Sequence, residues 1–301
     1  MAASASNDPP QICILSWNPA DMPIDATCMV VGKRHAGKTC LMNDIMFHMR
    51  DRLDLVVGFS ATEESNHNLS FFLPSAFVFP RYDAEKIKHV MEWQRRSVAN
   101  NKSMNVGIIM DDCMGEVTSD GKKKRVMNSG DIAAIFKIGR HRKIFYWNAL
   151  QYIKDAPPDA RQNTDLLFMY NTPSINERQK AYKDFFGMFR TYNDFSRVLD
   201  ACTSGYDCLV LDTRKAVRDP SACIYYYSAK LRSEPFRVGR AIFWKLSDAC
   251  YVDRSDNELS VTKVLGNDPC EVAAVSAASA RKGKVDLIVR KIEKVDEESD
   301  Y

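Results

Sequence analysis

The chain has 301 residues, of which 45% are apolar and 27% charged, with a formal net charge of only +3. That length and composition fit one large α/β domain or two small ones with a sizeable core, and exclude wholesale disorder and a polycationic chain. Any contact with nucleic acid must then come from local clusters of charge. The nine cysteines include no C-x-x-C pair, so no zinc or thioredoxin-like site is signalled, and buried reduced thiols are expected.

Residues 1–22 are rich in small and polar types and lack an apolar secretory core, so we expect a flexible lead-in that docks through Ile12, Ile14 and Trp17. No run approaches the ~18 apolar residues of a membrane span, and a soluble intracellular protein is expected. From Thr27 an alternation begins: a strand at 27–31, a Gly-rich turn, a helix at 39–50, strands at 53–60 and 77–79, then a helix at 83–96. An apolar strand at 106–110 follows, then a helix at 131–138 with Gly139 as its cap, and strands at 144–150 and 166–170. Helices at 175–186 and 192–202 and strands at 208–211 and 223–227 complete the series. Such alternation predicts an α/β fold, a mostly parallel central sheet flanked by helices, with ligands at the carboxyl ends of its strands. The pattern fades near Arg254; 23–254 is expected to be one α/β domain and 255–301 a charged C-terminal extension with a short ordered piece near 285–292.

Gly32, Lys33, Arg34, His35, Ala36, Gly37, Lys38 and Thr39 match G-x-x-x-x-G-K-[ST] in full. With Cys40 they form the expected nucleotide cradle. Glycines let backbone N–H groups turn inward on phosphate oxygens, and a helix begun at Lys38 adds its positive end. Lys38 can reach the β- and γ-phosphates, and the Thr39 hydroxyl can ligate Mg²⁺. The cofactors expected are therefore ATP and Mg²⁺.

The strand ending Met110-Asp111-Asp112 supplies the second requirement. Asp111 is placed as the acid that holds magnesium, and Asp112 as the base that polarises water, with Glu116 as a fallback. The next strand ends in Gln151, positioned to sense the γ-phosphate or orient water. An arginine to neutralise transition-state charge is expected either at Arg140 and Arg142 or at Arg161. A basic run, Lys122, Lys123, Lys124 and Arg125, is a candidate contact for DNA phosphates, a solvated loop or a nuclear import signal. A second cluster, Arg281, Lys282, Lys284, Arg290, Lys291 and Lys294, is a solvated face or a DNA- or capsid-binding tail.

The run Gly139-Arg140-His141-Arg142, the strand ending Leu150-Gln151-Tyr152, and Pro157-Pro158 with Arg161-Gln162-Asn163 resemble the genome-packaging ATPases of nucleocytoplasmic large DNA viruses, in the FtsK/HerA superfamily. Cys208 to Asp212, Ile224 to Tyr227 and Pro235-Phe236-Arg237 fit the same family, so the resemblance spans roughly residues 25–245. It implies a RecA-like ATPase core that assembles as a homo-oligomeric ring and pumps double-stranded DNA into a preformed capsid. It also implies capsid or portal partners, a place in the host cytoplasm, viral factory or virion, and chemistry carried by Lys38, Thr39, Asp111, Asp112 and Gln151. Two other functions compete on the motifs alone: a small-molecule kinase, and a nucleotide-binding switch or assembly factor that pumps no DNA.

Overall fold

A computed structural model describes residues 12–250 except 103, 114, 118–122 and 216–218. In chain order the elements are β1 (Leu15–Ser16), β2 (Thr27–Val31), α1 (Lys38–Met49), β3 (Leu55–Ser60), α2 (Glu63–Asn66), β4 (Val78–Phe79), α3 (Ala84–Ala99) and β5 (Val106–Asp111). A small antiparallel ribbon follows, β6 (Gly115–Val117) with β7 (Lys123–Arg125), then α4 (Gly130–Ile138), β8 (Ile144–Leu150), α5 (Pro158–Gln162) and β9 (Leu166–Met169). The last elements are α6 (Ile175–Asp184), α7 (Tyr192–Cys202), β10 (Cys208–Asp212), α8 (Pro220–Cys223), β11 (Ile224–Tyr227) and α9 (Ala241–Cys250).

Nine strands form one sheet in the order β1-β11-β10-β9-β2-β8-β5-β3-β4. Every neighbouring pair is parallel except the two made by β10, which runs against β9 and β11. The unbroken apolar runs of β2, β5 and β8 have the reason expected of parallel strands: both faces are covered. One face holds α1, whose Leu41, Met42, Ile45, Met46 and Met49 are buried with Cys28, Val30, Phe145 and Trp147. Each such side chain withdrawn from water contributes about 2 kcal/mol. The other face buries Ile87 and Val90 of α3, Ile132 and Ile135 of α4, and Phe195 and Leu199 of α7.

The lead-in docks as a strand. β1 pairs in parallel with β11, and Trp17 packs edge-on against Phe168 and Tyr227. Ile14 is half-buried, whereas Ile12 is exposed. Gly139 follows α4 but keeps right-handed angles (φ −57, ψ −43); the left-handed residue is Lys143 (φ 52), after one further tight turn at Arg140–Arg142. A Cβ at position 139 would lie 2.5 Å from the Ile135 carbonyl, so close approach rather than left-handed geometry calls for glycine there.

Residues 228–240 leave β11 and strap across α1. Phe236 stacks on Phe72 and meets Phe47 edge-on, and Arg232 lies over the Phe47 ring. The fully buried Asp44 of α1 anchors the strap, accepting from the Tyr227 hydroxyl (2.6 Å), Lys230 N (2.8 Å) and Arg232 Nε (2.8 Å). The strap then delivers α9 to the β3–β4 side, a helix the fading sequence pattern does not reveal; there Ser247 Oγ accepts from Ala76 N. The eight cysteines among the described residues are free, and no helix among those residues is long and apolar enough to cross a membrane. The extension at 255–301, with its basic cluster, lies outside the described residues.

Candidate phosphate-binding site

β2 stands at the centre of the sheet, and its carboxyl end opens directly into the Gly-rich turn. Gly32 N donates to Leu150 O (3.1 Å), which ties the turn to the end of β8. A Cβ on Gly32 would strike Tyr170 at 2.9 Å and Ala36 at 3.2 Å, so the chain passes there only without a side chain. Gly37 takes φ 103 immediately before α1, a conformation L side chains avoid. His35 is also left-handed (φ 61). The loop thus curls back on itself ahead of the positive end of α1.

Lys38 folds across this loop: its Nζ donates to Gly32 O (2.6 Å) and Lys33 O (3.1 Å). Burial pulls its pKa below the usual lysine range, while Asp112 and Asp111 favour its charged form. Thr39 and Cys40, in the first turn of α1, are half-buried.

Two strands away, β5 ends in Asp111, paired in register with Ser60 of β3 and Ala149 of β8. Asp111 is buried (6% exposed), and desolvation, then the neighbouring Asp112 charge, push its carboxyl up to about 6. Lys38 works in the opposite direction, and Glu63 adds to the rise. Asp112 turns into the left-handed region (φ 54), which costs about 1 kcal/mol for a residue with a Cβ. Gln151 meets it from β8, donating Nε2 to both carboxylate oxygens (2.8 and 3.0 Å). Parallel register explains the meeting: Asp111 lies opposite Ala149, and Val31 opposite Leu150, so Gln151 leaves the sheet between the phosphate loop and the acid pair.

The fold therefore brings together Gly32, Lys33, Gly37, Lys38, Thr39, Asp111, Asp112 and Gln151. It does not bring the candidate arginines to them within one chain. Arg140 and Arg142 precede β8 and so stand at the opposite, amino edge of the sheet. There Arg140 is ion-paired with Asp165, and Arg142 Nη1 donates to Met91 O (3.0 Å). Arg161 of α5 is tied to Asp184 of α6 (3.0 Å). Lys122 and the side chains of Glu116, Lys123 and Lys124 lie outside the described residues; Arg125 reaches Asp155, just beyond Gln151 (3.9 Å).

Sequence reasoning passed over Glu63, which is 2% exposed and accepts from Leu69 N and Ser70 N (both 2.9 Å) and from the Ser70 hydroxyl. Its signal was the polar end of the β3 run, Ser60-Ala61-Thr62-Glu63. A cavity of about 440 Å³ also adjoins the loop, between Gly32 and Lys33, Gln151 and Ile153, and Glu177 and Lys180 of α6.

A magnesium ion fits this donor set: one hydroxyl at the start of α1 and one carboxylate kept hard to ionise by burial and a like charge, which a divalent cation would relieve. Among the described residues no cluster of three or more His, Cys, Asp or Glu is arranged to hold a metal by itself. Protein ligands that few are what magnesium uses when phosphate oxygens and water complete its shell.

Among solved structures, the pCW3 conjugation coupling protein TcpA superposes with a TM-score of 0.52 at 10% identity, over 70% of this chain and 62% of that one.

The fold is that of the P-loop NTPases.

The genome packaging NTPase B204 from Sulfolobus turreted icosahedral virus 2, in complex with ATP-gammaS, aligns over 70% of this chain and 100% of its own, at 17% identity and a TM-score of 0.49. No family model matches the chain. In sequence, the chain is similar to proteins of large DNA viruses. Uncharacterized protein 088R of Invertebrate iridescent virus 3 is 29% identical over 208 residues, covering 68% of this chain and 76% of the relative. An uncharacterized protein of Acanthamoeba polyphaga mimivirus is 27% identical over 224 residues, covering 71% and 76%. The likeness to large-DNA-virus proteins thus covers about two thirds of the whole chain or more in both comparisons.

Proposed function

We propose that this chain is an ATP-driven motor that hydrolyses ATP to move viral double-stranded DNA into a capsid. The observation that carries the reading is the meeting of Asp112 and Gln151 beside the phosphate loop. A carboxylate base held by an amide, next to a lysine and a buried acid, suits activation of water better than transfer to a bulky acceptor. Support for the substrate comes from the motif resemblance and from relatives in large DNA viruses.

In this reading the backbone N–H groups of residues 32–39 bind the polyphosphate, and Lys38 leaves its two carbonyl partners for phosphate oxygens. Thr39 and Asp111 would hold Mg²⁺, which neutralises phosphate charge when bound. Asp112 accepts the proton of the attacking water. Gln151 holds Asp112 and answers to whatever occupies the neighbouring position. Arg140, Arg142 or Arg161 would serve as the finger from a neighbouring copy in a ring, since none approaches the loop within its own chain. Arg125, with Lys122, Lys123 and Lys124, is the proposed grip on DNA phosphates, and capsid or portal proteins are the proposed partners.

The test is steady-state ATP hydrolysis with and without double-stranded DNA, in the wild type and Lys38→Ala. Strong stimulation by DNA that is lost in the variant is expected. Hydrolysis that depends on Lys38 yet ignores DNA would replace the pump with a nucleotide-driven assembly switch.

A further inference from the structure

The phosphate loop has two sides. On the β8–β5 side stand Gln151, Asp112 and Asp111, where the reacting end of a polyphosphate must point. The nucleoside must therefore leave on the β9–β10 side. β10 is the one reversed strand of the sheet, so its start, unlike that of its neighbours, lies at the carboxyl edge beside the loop.

The turn ahead of β10 is built tightly. Asp207 N donates to Ser204 O (3.2 Å), and Gly205 takes φ +63. Asp207 is in turn held by the Ser228 hydroxyl at the end of β11. This frame raises Tyr206 into solvent, where it is 73% exposed. Its ring nevertheless stays against the loop: a Cβ placed on Gly37 would lie 3.4 Å from Tyr206 Cδ1. A single exposed aromatic needs no explanation by itself. An exposed aromatic on a rigid turn, touching the phosphate loop on the side away from the acids, has a free π-face where a base would emerge.

We propose that Tyr206 is the platform on which the nucleobase stacks, and that it gives this site its preference for purine nucleotides over bare polyphosphate. The inference rests on the phosphate-site reading given above. Stacking needs the ring and not the hydroxyl, and is sequence-tolerant because every base offers a π-face, the larger purine more of it.

Isothermal titration of the full chain with ATP and with inorganic tripolyphosphate separates the two readings. Tyr206→Ala is expected to weaken ATP about tenfold, in line with one stacked base, and to leave tripolyphosphate unchanged; Tyr206→Phe should bind both as the wild type does. Equal weakening of both ligands in Tyr206→Ala would make Tyr206 a structural support for Gly37, and unchanged ATP affinity would remove it from the site; either overturns the proposal. A wild type that binds ATP and tripolyphosphate equally well also overturns it while leaving the phosphate site standing. A wild type that binds neither overturns the phosphate site, and the platform with it.

Discussion

The two edges of the central sheet use the same residue types to opposite ends. At the amino edge, polar groups are matched. Asp165 accepts from Thr27 N (2.9 Å) and is paired with Arg140; Asp212 takes both arms of Arg214 (2.8 and 2.7 Å); Thr213 N donates to Asp165 O (2.9 Å). At the carboxyl edge, polar groups are left in tension. Asp111 is buried against a second carboxylate, Asp112 sits in a left-handed conformation, and Lys38 is partly desolvated over two carbonyls. One edge closes the fold, and the other holds charge in waiting for a charged ligand. Burial raises Asp165 as well, but there a backbone N–H, Arg140 and Arg214 oppose the rise; at Asp111 the foremost neighbouring charge is a second carboxylate that adds to it.

The carboxyl edge is most sensitive at Asp112. Asp112→Asn should lower ATP turnover by about 10²–10⁴-fold, the usual worth of a general base, with nucleotide affinity retained; single-turnover phosphate release beside a binding titration checks this. At the matched edge, Asp165→Ala orphans the Thr27 N–H and Arg140, which should cost about 2 kcal/mol of stability. Urea denaturation should show a lower midpoint, and hydrolysis per folded molecule should be unchanged.

Asp111→Asn should stabilise the protein while abolishing hydrolysis. Holding the Asp111 carboxyl at about 6 weighs about 3 kcal/mol against the ionised form. After the amide's own imperfect pairing, a gain of about 1–2 kcal/mol is expected, read as a higher unfolding midpoint in nucleotide-free buffer with chelator.

The smallest effect is expected at Asp200 of α7, which accepts from Arg178 of α6 (2.6 and 3.0 Å); that pairing holds the Asp200 pKa below the usual aspartate range. A lowered carboxylate contributes stability above its unfolded pKa and loses it as pH falls through the folded value. The contribution should be under about 1 kcal/mol because the pair is half exposed. Asp200→Asn should lose stability at pH 7 and converge with the wild type as pH falls through the lowered folded-state value.

The fold was legible wherever one local rule sufficed. Buried parallel strands betrayed themselves as apolar runs, and α7 was bounded at Tyr192 and Cys202 by its own periodicity. The Gly-rich turn at 32–37 was legible because its glycines answer a backbone demand that few other sequences meet. What stayed hidden was set by distant partners. Asp44 reads as an ordinary helix aspartate until Tyr227, Lys230 and Arg232 close on it. Arg140 stands eleven residues before Gln151 in the sequence, and only the direction of β8 carries it to the opposite edge of the sheet. Tyr206 gains its position only because β10 is reversed, and no property of its neighbours in sequence signals that reversal.

The strap over α1 has a consequence for how the molecule fails. Leu231, within the strap, is 82% exposed, so a protease would meet this segment before the core beneath it. A cut there frees two of the three residues that donate to Asp44, the Arg232 guanidinium among them, leaving a buried charge inside the very helix that presents Lys38 and Thr39. The nicked protein would keep every residue of its phosphate loop and still lose its grip on nucleotide, and bound nucleotide should in turn slow the cut.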